Sequence, residues 1–140
     1  MKESMQDVGL AVKRLQWQHH REFNKRLGTL GLSLVQWDVL RHLRREPDAS
    51  LHALAVLTFQ TDQSMGELAK RMVDRGLIAR VDGPGRAVRH GLTAEGEQAY
   101  ADGAELVEGV LDSTLGRLTA QERTTLYELL VRATGDTYPA

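Results

Sequence analysis

The sequence predicts a mainly α chain with one small β-hairpin, an α+β arrangement, and three observations predict it. From Asp62 to Arg75, Met65, Leu68, Ala69 and Met72 recur at the i, i+3, i+4, i+7 spacing of one buried helical face, with Gln63, Glu67, Lys70 and Asp74 opposite. Just before it, a short apolar run opened by Ser50 ends at Phe59-Gln60-Thr61, too brief a link for anything but a tight turn. Just after it, Leu77-Ile78-Ala79-Arg80-Val81 and Arg86-Ala87-Val88-Arg89-His90 flank Asp82-Gly83-Pro84-Gly85, a Gly/Pro turn between two extended runs. Helix, turn, helix and hairpin make a winged helix-turn-helix over residues 33–92, with helices on either side.

The remaining elements follow in order. A first helix is expected from about Asp7 to Leu27, with Val8, Leu15, Trp17 and Phe23 among its charges and Gly28 ending it. Ser33-Leu34-Val35-Gln36 is a capping box, a hydroxyl at the cap and an amide three residues on. It opens a helix with Trp37, Leu40 and Leu43 inward, stopped by Pro47. Ser50 caps the short helix carrying Leu51, Leu54, Ala55 and Leu57, and Thr61 or Asp62 caps the next. Beyond the hairpin, Thr93 caps a helix with Tyr100, Leu106, Val107, Val110 and Leu111. Thr119-Ala120-Gln121-Glu122 is a second capping box and opens a last helix with Leu126, Leu129, Leu130 and Ala133.

Composition narrows the function classes. The 140 residues suit one domain, and no apolar run approaches the roughly 20 residues that span a bilayer. Met1 to Asp7 shows no apolar signal region, so a cytoplasmic setting is the expectation. With no cysteine, disulfides and thiolate chemistry are excluded. The five histidines include no pair at the i, i+4 spacing of a helical zinc site. No phosphate loop or paired nucleophile appears, so neither an enzyme, a metal nor a cofactor is expected. The net charge of −1 hides an asymmetry. Residues 1–49 hold nine Lys/Arg against six Asp/Glu, residues 50–92 six against four, and residues 93–140 three against nine. The acidic excess lies wholly outside the winged unit.

A winged unit of about 60 residues buries only about 60% of its chain surface alone. The flanking helices, in residues 1–30 and 93–140, have apolar faces to cover. Pairing with the same helices of a second copy covers them and places two recognition helices about 34 Å apart, one DNA turn. The other solution is a monomer with both helices folded back.

The DNA-facing candidates come from the winged unit. Gln63 suits adenine and Glu67 can accept from cytosine N4. Ser50, Thr61 and Ser64 stand at helix starts, where hydroxyls and backbone N–H groups meet phosphates. Lys70 and Arg71 suit phosphates, while Arg86 and Arg89 suit a minor groove or the backbone beside it. Each of these can also be an ordinary solvated charge.

This order of elements resembles the MarR family of bacterial transcription regulators. The resemblance rests on Gly31-Leu32-Ser33-Leu34-Val35-Gln36-Trp37-Asp38-Val39-Leu40, on Leu54-Ala55, and on Val73-Asp74-Arg75-Gly76-Leu77-Ile78. Arg86, Leu92-Thr93-Ala94-Glu95-Gly96 and Leu118-Thr119-Ala120-Gln121-Glu122-Arg123 complete it, over nearly the whole chain. It implies a homodimer paired through its terminal helices, a pseudo-palindromic double-stranded operator, and a repressor released by a small aromatic or lipophilic effector. Trp17, His20 and Trp37 are the pocket residues the resemblance suggests, with His19 nearby; the plainer assignment is core for the tryptophans and solvent for the histidines. Departures from the family pattern are Pro84 in place of an acid, Gly66 in place of a hydroxyl and Glu67 in place of an arginine. They define the alternative, a winged dimer that has lost DNA and binds another protein.

Overall fold

The computed structural model describes residues 2–82 and 88–135. Among the described residues, six α-helices and one antiparallel strand pair run in the order α1 (Met5–Leu27), α2 (Leu34–Arg45), α3 (Leu51–Leu57), α4 (Asp62–Asp74), β1 (Ile78–Asp82), β2 (Val88–Leu92), α5 (Ala94–Thr114) and α6 (Ala120–Thr134). Single 3-10 turns follow α1 and α5. The architecture is mainly α with a small hairpin, as the sequence predicts.

Side-chain caps set the helix starts. Ser33, Ser50, Thr61, Thr93 and Thr119 each accept a backbone N–H of the first turn, satisfying donors that have no partner inside the helix. α1 begins two residues before the expected Asp7. Ser4 Oγ accepts from Asp7 N at 3.1 Å, and the Asp7 carboxylate accepts from Ser4 N at 3.0 Å, so a reciprocal cap encloses Met5 and Gln6. α4 ends at Gly76, whose φ of 78° is left-handed. There Leu77 N reaches back to Met72 O at 3.0 Å, closing the helix without a Cβ clash.

The core belongs to the winged unit. Leu27 of α1, Val39, Leu40 and Leu43 of α2, Leu54 of α3, Met65 and Met72 of α4, and Ile78 of β1 are nearly or fully enclosed. Strand β1 pairs antiparallel with β2 from Ile78↔Leu92 to Asp82↔Val88, so the hairpin stands beside α4. Helix α5 packs on α1 and α2. Trp37 fixes that contact: its ring stacks on Tyr100 with centroids 5.5 Å apart, and Nε1 donates to the Tyr100 carbonyl at 3.1 Å. Helix α6 contributes no buried residue, and Leu129 and Leu130, expected to be apolar face, are exposed.

Candidate nucleic-acid interface

The turn between α3 and α4 is held from both sides. Thr58 Oγ1 donates to Leu54 O at 2.6 Å, and Gln60 N donates to Ala55 O at 2.8 Å. Phe59 occupies the left-handed position at φ 61°. Glycine is the usual residue there, because a Cβ in this region costs about 1–2 kcal/mol. The turn sets α4 so that Met65, Leu68, Ala69 and Met72 enter the core. Gln63, Ser64, Glu67, Lys70 and Arg71 are then left exposed along the other side.

The hydroxyl candidates have defined roles. Ser50 Oγ accepts from Ala53 N and Thr61 Oγ1 from Ser64 N, both at 3.0 Å. Each keeps its own proton to donate, which is the direction a phosphate oxygen requires. Ser64 is exposed one turn into α4. On the hairpin, Arg89 is half-buried and its Nη1 donates to Val88 O at 3.2 Å. Arg86 lies outside the described residues. Arg80 was not singled out by sequence reasoning, yet it sits opposite His90 in the strand register and is exposed. With Lys70, Asp74 and His90 it borders a cavity of about 510 Å³ between α4 and the hairpin. Burial, and then the Arg80 charge, push the His90 imidazole below its ordinary range.

Acids share this face. Glu67 and Asp62 are exposed beside the candidates, and Asp62 Oδ1 is 2.8 Å from His52 Nδ1 at the start of α3. His52 carries no sequence signal, because the contact depends on how two helices meet.

The three pocket candidates do not share a cavity. Trp37 is enclosed and lines a space of about 380 Å³ with Phe23, Arg41, Tyr100, Val107 and Glu108. His20 lines a separate apolar space of about 420 Å³ between α1, α5 and α6, together with His19. Trp17 is 59% exposed, stacked on His20 at 6.3 Å, and not in the core. His19 bonds Thr114 Oγ1 at 2.6 Å, and burial lowers its basicity. Behind Trp37, the Arg44 guanidinium lies 4.4 Å over the Tyr100 ring and pairs with Glu97 at 2.8 Å. Among the described residues, no group of three His, Cys, Asp or Glu is placed to hold a metal ion, and no helix is long and apolar enough to cross a membrane.

A MarR family model matches residues 30–87. The transcriptional repressor Rv2887 of Mycobacterium tuberculosis is 33% identical over 118 residues, 82% of this chain and 84% of the relative. The chain belongs to the MarR family. Another relative, the transcriptional regulator HosA of Escherichia coli, is 31% identical over 101 residues, 71% of this chain and 75% of its own. The crystal structure of Rv2887 in complex with DNA superposes with a TM-score of 0.75 at 25% identity, covering 96% of this chain and 100% of that one. As a MarR protein the chain is a DNA-binding transcription regulator. Its curated relatives are regulators rather than enzymes.

Proposed function

We propose that this MarR protein is a homodimeric repressor. Its α4 helices enter successive major grooves of a pseudo-palindromic operator, and its hairpins lie against the adjoining backbone. The observation that carries the reading is the outward row of Gln63, Ser64, Glu67, Lys70 and Arg71 on α4, in a fold whose relative Rv2887 has been crystallised with DNA. Residues 33–92 form the reading unit, and residues 1–30 and 93–140 pair two copies. The pairing is supported by what one chain leaves uncovered. Met5, Val8 and Val12 on α1 and Tyr127, Leu129, Leu130 and Val131 on α6 are all exposed, and Val12 and Leu130 border the apolar space that His20 lines. Two copies cover such faces without further chain.

The effector in this reading is a small aromatic acid. The cavity beside Trp37 offers two stacked rings, Phe23 and, with Glu108 also on its lining, one cation, Arg41, to hold a carboxylate. Rv2887 itself has been crystallised with p-aminosalicylic acid, at 26% identity and a TM-score of 0.75 over 91% of this chain and 98% of that one. Because the cavity lies between the winged unit and α5, filling it changes the spacing of the two α4 helices. A protein-interaction module without DNA contact, suggested by Asp62, Gly66, Glu67 and the short wing, is not favoured, since the relative Rv2887 is a repressor that has been crystallised with DNA.

Sedimentation and a mobility shift test this together. The protein should sediment at about twice 15.6 kDa. It should retard DNA from upstream of its own coding sequence with a steep salt dependence. Salicylate should release the wild type but not Arg41→Gln, which should bind the same DNA unreleased. A monomer, or binding indifferent to salt, refutes the reading.

A further inference from the structure

We infer that His52, held by Asp62, is a contact to the DNA backbone, and that Asp62 positions it. The inference rests on the operator-binding reading above. His52 is the second residue of α3 and Asp62 the first of α4, so the pair ties the starts of the two helices of the reading unit. The Nδ1–Oδ1 distance is 2.8 Å, and the two side chains are 74% and 70% exposed. Gln63 and Ser64 follow directly, so the pair stands on the side that approaches DNA. A lone carboxylate there repels phosphates. With Nδ1–H donated to Asp62, the ring turns Nε2 outward. A protonated imidazole set between a carboxylate and a phosphate donates Nδ1–H to one and Nε2–H to the other. An acid on the DNA face thereby becomes the support of a cationic contact.

Besides Asp62, α4 carries exposed Glu67, Lys70, Arg71 and Asp74. The helix of His52, Leu51–Leu57, has no other ionisable residue, and its Leu51 borders a cavity with Lys70, Asp74, Arg80 and His90. Helix α2, which also packs on α3, carries Asp38, Arg41, His42, Arg44 and Arg45. These interact among themselves and with Glu46 and Glu97. Asp62 is the partner that His52 has across the turn.

The test is a binding titration with a labelled mixed-sequence duplex of about 30 base pairs, long enough for two half-sites one turn apart. A phosphate contact shows on any sequence. Wild type, His52→Gln, Asp62→Asn and the double variant are compared at several salt concentrations. His52→Gln should weaken binding about three- to tenfold and lower the salt slope by about one per protomer. Asp62→Asn should weaken binding when His52 is present and tighten it when residue 52 is glutamine, because repulsion is all that remains to remove. Thermal melts of the four should nearly coincide, since an exposed pair adds little to folding. Asp62→Asn tightening DNA equally in both backgrounds makes Asp62 a mere repulsive charge and overturns the inference. So does an unchanged salt slope in His52→Gln, whether or not its melt falls. Failure of the wild type to bind would overturn the operator-binding reading as well, whereas these outcomes with wild-type binding intact overturn this inference alone.

Discussion

Gly103→Ala probes the joint between the winged unit and α5. A Cβ at residue 103 would stand 2.5 Å from Trp37 Cδ1, 2.7 Å from Trp37 Nε1 and 3.1 Å from Leu27 Cδ2. Ordinary contact begins near 3.4 Å, so the indole must retreat by nearly 1 Å from a slot closed by Tyr100 and Leu27. Overpacking of this kind costs about 1–3 kcal/mol. Stretching the bond from Nε1 to the Tyr100 carbonyl adds about 1 kcal/mol. Replacing a helical glycine returns about 1 kcal/mol of backbone entropy. The net expectation is a loss of about 1–3 kcal/mol. Urea denaturation followed by tryptophan fluorescence measures it, in a Trp17→Phe background so that Trp37 alone reports. Protomer concentration must be held constant, because a dimer's stability depends on it. Gly66→Ala is the control: nothing lies within 4 Å of its Cβ, so it should gain about 0.5–1 kcal/mol. If Gly103→Ala is as stable as the wild type, or gains like the control, the slot reasoning is refuted.

Asp38, half-buried on α2, has its carboxyl pushed up to about 6 by burial, against an opposing pull from Arg41. The folded state therefore holds a proton that the unfolded chain has lost, and stability falls as pH rises from 3.8 to about 6. Asp38→Asn should be about 1–2 kcal/mol more stable than wild type at neutral pH, after allowance for the solvent that still reaches the carboxyl, and should lose this slope in pH-dependent melts. On α4, Gln63→Ala should cost about 1–3 kcal/mol at one operator position and little elsewhere, read by selection on randomised DNA. Glu67→Gln in the same selection should relax preference at one cytosine if Glu67 reads a base; uniformly tighter binding would show that it only repels phosphates.

The winged unit was legible because its signals are local. Helix starts followed from hydroxyls at positions 33, 50, 61, 93 and 119, and the buried face of α4 from the spacing of Met65, Leu68, Ala69 and Met72. The exposed side of α4 followed from the same spacing. The first turn of α1 was misplaced because its cap is closed by Asp7, an acid shorter than the usual Glu or Gln, which sequence reading took for the helix start. The pocket residues were not legible. Trp17 and Trp37 are both tryptophans on helices with charged neighbours, and only the approach of α5 separates them, enclosing Trp37 against Tyr100 and leaving Trp17 outside.

Periodicity, capping and turn chemistry thus determine the order and kind of the elements here, since each acts over a few residues and is written in adjacent positions. They determine the apolar stripe of α6 as well, though not what covers it. Contacts between distant residues were decided by tertiary structure alone. Tyr100 under Trp37, Asp62 on His52 and Arg41 on the cavity beside Trp37 depend on where whole helices come to rest. That placement is set by the summed packing of Leu27, Leu40, Leu43 and Met72, and no short window of sequence contains it.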